Sequence, residues 1–295
     1  MAKFASAEKQ ATTVVHLINA QGNKDLKSHG TSRNYRQALT RVAEFCKEYK
    51  INGIQSLTIE QANLHLAIRS EIVGQKTLDM ERQAIQKMFT VLTGKLERGQ
   101  TLPVIKSEID QILTGRAYSH DQAERIAEAQ RGENRLATKI AEAAGLRAHE
   151  LLTLRRGEER TADKRPNHED KWKGVDGVKY TVIGKGGLIR DVIIPTSLVN
   201  ELEATRLNAP RTVIDREITY KQHYGVSGGK RWSSSFSAAS NRVLGRSHGA
   251  HGLRHSYAQQ RMGELIKTGT RAAALEITSQ EMGHFRPEIT EVYLR

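Results

Sequence analysis

The chain has 295 residues, enough for two domains with separate cores, and its 46 lysines and arginines against 33 aspartates and glutamates give a formal net charge of +13. That excess favours polyanionic partners, with nucleic acid ahead of an anionic membrane face. A mean hydropathy of −0.56, with no apolar run approaching ~20 residues, argues against a membrane span; the N-terminal MAKFASAEKQATTVVHLINAQG has no apolar core or cleavage site of a signal peptide, so a cytoplasmic protein is expected.

The first expected element is a peripheral helix at about 7–20, within an N-terminal appendage of residues 1–30. Three helical patterns then run from Thr31 to about Glu97. In the first, Thr31 or Ser32 is available as N-cap, and Tyr35, Leu39, Val42, Ala43 and Cys46 share one face. Thr58 can cap the second, whose Leu64, Ala67 and Ile68 recur at helical spacing. Leu78, Ile85, Met88, Phe89 and Leu92 form the apolar stripe of the third. Cys46, the single cysteine, reads as a buried reduced thiol, which excludes internal disulfides and makes a cysteine metal site improbable. Residues 1–97 are therefore an all-α domain.

Gly99 and Pro103 break the regularity, and residues 98–116 are expected to be a linker before a second domain at 117–295. That domain opens with a helical stretch at 134–154, interrupted at Gly145. A polar insertion, RRGEERTADKRPNHEDKWKG (155–174), follows. The period then changes to two in VKYTVIGKGGLIRDVIIP, a β-hairpin turning through Gly184-Lys185-Gly186-Gly187. From Leu198 onward the pattern is helical, with a basic loop at 227–235.

Several polar groupings stand out along the second domain. Arg147 and Glu150 are three apart, so on a helix the carboxylate can orient the guanidinium, although such a pair alone is ordinarily a surface ion pair. His251 and Arg254 repeat the spacing. Lys185 tips the glycine-flanked hairpin, where the plain alternative is a turn lysine in water. His284 precedes Tyr293 by nine positions, with Thr290 between them, and a lone tyrosine of this kind is usually packing.

Taken in order, the words AGLRAHELLTL, VIGKGGLIRDVIIP, HGLRHSYA and MGHFRPEITEVY resemble the boxes of the tyrosine recombinase family, which includes phage integrases such as that of lambda, Cre and the Xer proteins. They run through most of residues 134–293, and the helices of 31–97 more loosely resemble the family's core-binding, DNA-binding domain. The resemblance implies a mainly α fold with a small antiparallel β-sheet, in which an α-helical core-binding domain precedes a mixed α+β catalytic domain and the two clamp duplex DNA. It implies that Tyr293 is the nucleophile, that Arg147, Arg254 and His284 hold the scissile phosphate, and that His251 assists removal of the tyrosine proton. Lys185 is then the general acid for the departing 5′-oxygen, and Glu150 supports the pocket. Planar guanidinium forks suit the two non-bridging oxygens, and nearby cations stabilise a phenolate whose ordinary pKa is about 10. The 3′-phosphotyrosine ester keeps the energy of the broken bond, so no metal, ATP or other cofactor is implied.

The implied partners are double-stranded DNA with specific recombination sites, further copies of the chain in a tetramer on DNA, and accessory DNA-bending proteins. An integrase of a mobile element or a Xer-like enzyme is expected. A type IB topoisomerase-like relaxing enzyme and a catalytically silent DNA-binding protein are the alternatives. Candidate phosphate contacts are Arg33, Lys76, Arg82 and Lys87 in the first domain, and Lys230, Arg231 and Arg242 in the second. Tyr257 is set aside as too close to the His-x-x-Arg element, and His255 as lying off its helical face. Two features depart from the family pattern: the insertion at 155–174 is long, and the family continues past its tyrosine into a tail that docks on a neighbouring protomer, whereas this sequence stops at Arg295.

Overall fold

The computed structural model describes residues 5–21, 26, 28–110 and 113–295; positions 1–4, 22–25 and 27 of the N-terminal segment and 111–112 of the expected linker lie outside the described residues. Two compact units, Met1–Ile112 and Leu113–Arg295, each enclose a core of their own. Among the described residues no helix is long and apolar enough to cross a membrane.

The first unit is helical: α1 (Ala7–Gln21), α2 (His29–Glu48), α3 (Ile59–Ser70) and α4 (Gln75–Met88), the last continued by a π turn at Phe89–Thr93. Helix α1 is not peripheral. Its Ala11, Val14, Val15 and Ile18 are buried together with Leu39, Val42, Leu66, Ile85 and Phe89. Helix α2 starts earlier than its sequence suggests, because Ser28 rather than Thr31 or Ser32 supplies the cap, accepting from the Thr31 N–H at 3.0 Å. Thr58 caps α3 as expected, in a reciprocal capping box with Gln61. The buried face of α3 is shifted, however: Ala62, His65 and Leu66 point inward while Leu64 is 46% exposed. Burying His65 is compatible with the core because its Nε2 pairs with the Glu81 carboxylate at 3.0 Å, which also accepts from Arg69. Cys46 is buried, and burial pushes its thiol up to about 11.

In the second unit, α5 (His120–Glu128) and α6 (Glu133–Ala143) precede a 3₁₀ turn at Glu150–Thr153 and the short strand β1 (Arg155–Arg156). Strands β2 (Val178–Ile183) and β3 (Ile189–Ile194) flank a 3₁₀ turn at Lys185–Gly187, and α7 (Thr196–Ala204) follows. The order β1-β2-β3 is antiparallel throughout, with Val178 opposite Ile194 and Ile183 opposite Ile189, as the period-two pattern requires. Then come β4 (Arg206–Asp215), β5 (Ile218–Tyr224), α8 (Gly229–Leu244), α9 (Gly252–Ile266), α10 (Arg271–Glu281) and the single turn α11 (Pro287–Thr290). Tyr180, Val182, Val192 and Ile194 meet Ile140 of α6 and Trp232 and Phe236 of α8 in the core.

The mainly α class with small antiparallel sheets is what the structure has, but three local expectations fail. The β4–β5 hairpin replaces a segment read as helix, and beyond the expected interruption at Gly145 the stretch to 154 continues as a turn and a 3₁₀ segment rather than as helix; α5 fills a stretch the sequence leaves unassigned. Helix α6 stops at Ala143, and Gly145 then turns the chain at φ +58°, where a Cβ would lie 2.7 Å from the Tyr257 ring. The basic stretch 227–235 is largely the start of α8, with Trp232 fully buried and the Lys230 N–H donating to Asp215 Oδ1 at 2.7 Å. The polar insertion is docked rather than free: the His168 and Trp172 N–H groups donate to Gln280 and Glu281 of α10, and Arg261 of α9 donates to the Lys173 carbonyl. Ile18→Ala should destabilise the first unit by about 2–5 kcal/mol, read from its urea unfolding transition, whereas a peripheral α1 would show under ~0.5 kcal/mol.

Candidate active site

Glu150 lies at the start of the 3₁₀ turn after α6 and is fully buried. Its carboxylate accepts from the Arg147 N–H at 2.7 Å, from Arg147 Nη1 at 2.7 Å and from Arg190 Nη2 at 2.8 Å, and Arg254 Nη1 stands 3.9 Å away. Burial alone would raise its pKa, but Arg190, Arg147 and Arg254 outweigh that and hold the carboxyl far below the usual range. The Arg147–Glu150 contact expected of a helix is thus made, although by a turn and a 3₁₀ segment.

Arg254, on the first turn of α9, is also fully buried. It donates to the carbonyls of Gly145 and Met282, and its Nη2 is 3.1 Å from His284 Nε2. Burial first, then Arg147, pushes its pKa down to about 10, which leaves it cationic near neutrality. Because a guanidinium only donates, His284 Nε2 must accept, which assigns the imidazole proton to Nδ1, 3.3 Å from Thr290 Oγ1. Burial and then Arg254 push His284 down to about 3.

Tyr293 is 9% exposed and ringed by imidazoles: its ring centroid is 5.0 Å from His284, 5.5 Å from His251 and 4.8 Å from His255, with the Arg254 guanidinium 5.6 Å away. His251 keeps a solvent-exposed edge, yet desolvation of the packed part and then Arg254 push it down to about 4. Lys185 is exposed on the β2–β3 turn. That turn begins against the cluster, since a Cβ on Gly184 would sit 3.3 Å from Glu150 Oε1. The structure therefore brings Arg147, Glu150, His251, Arg254, His284 and Tyr293 together, with the Lys185 turn abutting them.

Two residues of this pocket escape a reading of the sequence. Arg190 is 3% exposed and joins Glu150 to the Glu281 carbonyl, to which its Nη1 donates at 2.6 Å. Its signal is a charge on the inward register of β3, which it shares with Val192 and Ile194. His255 does not lie off the site: four residues after His251 it falls on the same face of α9, as helical geometry requires. Tyr257, by contrast, is engaged elsewhere, donating to Glu281 at 2.9 Å.

The basic candidates are scattered. Arg33 and Lys76 line one groove of about 830 Å³ in the first unit, with Arg41 and Arg69. Arg82 directs its guanidinium to Gln86 and the Leu102 carbonyl, and Lys87 is half-buried on α4. Lys230 and Arg231 are exposed on the first turn of α8, and Arg242 donates to the Ala129 carbonyl.

No family model and no curated protein matches the sequence. Solved structures do match in fold. The XerH site-specific recombinase in its post-cleavage complex with palindromic difH substrate superposes with a TM-score of 0.61 at 14% identity, over 100% of this chain and 94% of that one. Its pre-cleavage complex gives 0.56 at 17% identity, over 90% and 75%. A lambda integrase dimer bound to a COC′ core site gives 0.60 at 14%, over 100% and 82%. The chain thus has the fold of these recombinases.

Removing the central carboxylate should leave buried guanidiniums uncompensated. Glu150→Gln is expected to lower stability by about 3–5 kcal/mol in chemical denaturation at pH 7. The folded-state pKa is depressed, so the wild-type advantage is complete above the unfolded value of about 4.3 and is lost as pH falls through the folded one. It should therefore persist at pH 5, and a difference that vanished there would contradict the assignment.

Proposed function

We propose that this protein is a site-specific DNA recombinase that cleaves and rejoins strands through a 3′-phosphotyrosine intermediate. The observation that carries the proposal is the convergence of Arg147, Arg254, His284 and His251 around Tyr293, held by Glu150. The net charge of +13 and the fold shared with DNA-bound recombinases support duplex DNA as the partner.

In the proposed reaction Tyr293 Oη attacks a phosphodiester; the Oη–P bond forms as the P–O5′ bond breaks. Arg147 and Arg254 take the charge that develops on the non-bridging oxygens. The tyrosine proton passes to His251, which burial first and then Arg254 keep neutral and hence able to accept it. Lys185, swung in on its turn, gives a proton to the leaving O5′. A phosphate seated between Arg254 and His284 opposes the field that depresses the imidazole, so His284 gains a proton and becomes a donor to that phosphate. Reversal with a different 5′-hydroxyl reseals the strand. Cleavage within a tetramer, on sites of a mobile element or of a Xer-like resolving system, completes the reading, with accessory DNA-bending proteins as further partners and the cytoplasm as its place.

The test is covalent trapping on nicked duplexes drawn from the genomic neighbourhood, without metal or ATP. An adduct on a denaturing gel that Tyr293→Phe abolishes is expected; firm DNA binding with no adduct would instead favour a silent DNA-binding protein. Lys185→Ala should slow cleavage about 10²–10⁴-fold, and a substrate with sulfur at the bridging 5′ position should restore it, because a thiolate leaves without a proton. A loss that sulfur does not restore removes Lys185 from the acid role. Because His251 is pushed down to about 4, the general-base form persists to low pH, and cleavage per unit free enzyme should stay level from pH 8 to 6. A fall centred near 6.5 would exclude His251 in this state as the base.

A further inference from the structure

Three side chains of α9 and its N-cap, His251, His255 and Gln259, are spaced by four and therefore form one stripe on the helix. All three touch the segment that carries Tyr293. His251 and His255 lie against its ring, at centroid separations of 5.5 and 4.8 Å. Gln259 holds its backbone, with Nε2 donating to the Tyr293 carbonyl at 3.2 Å and to the Arg295 carbonyl at 2.9 Å. Both amide hydrogens of Gln259 can thus be used on this segment. His255 is 6% exposed, and its Nδ1 is buried with no hydrogen-bond partner among the described residues.

We infer that His255, acting with Gln259, is a positioning residue for the nucleophile: its ring forms the floor on which the Tyr293 ring is set, while Gln259 fixes the backbone from which that ring projects. The inference rests on the proposed strand-transfer reaction. Tyr293 sits in the last turn of a short 3₁₀ segment, Glu291–Tyr293, too short to fix a side chain by its own hydrogen bonds. Attack in line with the P–O5′ bond requires the reacting oxygen to be placed to about 1 Å, and a misplacement of that size costs about 10²-fold in rate. His284 approaches the ring from the turn after α10 and is occupied by Arg254 and Thr290, so the steric floor falls to α9. Burial outweighs a hydrogen bond with the Tyr293 backbone and, with Arg116 and Arg254 behind it, pushes the His255 pKa down, which suits a neutral ring packed at a 40° tilt against a phenol.

Adduct formation on a nicked duplex under single-turnover conditions tests this. His255→Ala should lower the maximal rate about 10²-fold with an unchanged half-saturating DNA concentration. His255→Phe, which keeps a flat ring and loses the nitrogens, should recover most of it. Gln259→Ala, at a partly exposed position that leaves the core untouched, should give a smaller loss of the same kind. A rate within twofold of wild type for His255→Ala, or a loss confined to DNA affinity, overturns the inference. A second readout needs no DNA. With ring-labelled tyrosine, the Tyr293 signals, identified by their absence in Tyr293→Phe, should lose their ring-current displacement in His255→Ala and keep it in His255→Phe. Unchanged signals in His255→Ala refute the floor. A wild-type chain that forms no adduct sinks the strand-transfer reading instead, and the ring signals still decide whether His255 sets the tyrosine.

Discussion

Everything in the candidate site hangs on one buried carboxylate. Glu150 draws guanidiniums from three separate stretches of chain: the turn after α6, strand β3 and the start of α9. Three such cations in a solvent-poor space would repel one another, so their approach is tolerated only because Glu150 stays ionised among them. A cluster of this kind contributes little net stability, since desolvating each ion offsets much of the attraction. What it fixes is geometry. One carboxylate against three guanidiniums also leaves an excess of positive charge, and Arg147, with 19% of its side chain exposed, presents that excess toward solvent. The group that best completes the balance is an anion.

The same excess sets the state of the imidazoles. Arg254 stands second only to burial among the causes that push both His251 and His284 down, to about 4 and about 3. Near neutrality the tyrosine therefore faces uncharged rings with cations behind them. That division suits the nucleophile role proposed for Tyr293: His251 can accept its proton, and the arginines stabilise the phenolate. Backbone placement follows the same logic. Gly283, at φ +71°, lets the chain pass within what would be 2.6 Å of Arg190 Cδ for a Cβ, and Phe285 after His284 also takes a positive φ of +53°. A conformation that costs a non-glycine residue of order 1 kcal/mol is held by Ser279, whose carbonyl accepts from the His284 N–H and whose Oγ accepts from the Arg286 N–H.

Arg147, Glu150, Arg254, His284 and Tyr293 were legible in the sequence because each stands in a short word with its own local spacing. The β2–β3 hairpin was legible through its alternation. The β4–β5 hairpin was not, because β4 is exposed or half-exposed along its whole length and carries no apolar alternation. Helix α8 opens with glycines, which suggest a loop; Gly229 takes φ +62°, its N–H donates to the Ala148 carbonyl, and the next N–H, of Lys230, donates to Asp215, fifteen positions earlier. Helix α1 looked peripheral because its apolar stripe is short, yet packing decides the matter and Ile18 is fully buried. Arg190 was hidden by being a lone charge in a strand whose partner, Glu150, is forty residues away. Pairings at such range are set by tertiary contact and leave no local trace.

Arg190 also links the central carboxylate to the backbone of a second acidic residue. Its Nη1 donates to the carbonyl of Glu281, the last residue of α10, whose side chain accepts from Arg261 at 2.9–3.1 Å and from Tyr257 at 2.9 Å. A carboxylate at a helix C-terminus opposes the helix dipole, so Glu281 is unfavourable in isolation and needs Arg261 beside it, while Arg190 satisfies a carbonyl that the helix end leaves orphaned. Arg261 in turn donates to the Lys173 carbonyl, and Glu281 accepts from the Trp172 N–H, which ties the long polar insertion to the same point. Three residues beyond Glu281 the chain reaches His284, and nine further on Tyr293. The stretch that carries those two rings therefore leaves from a residue tied to Glu150 through Arg190 by its backbone and to Arg261 and the insertion by its carboxylate.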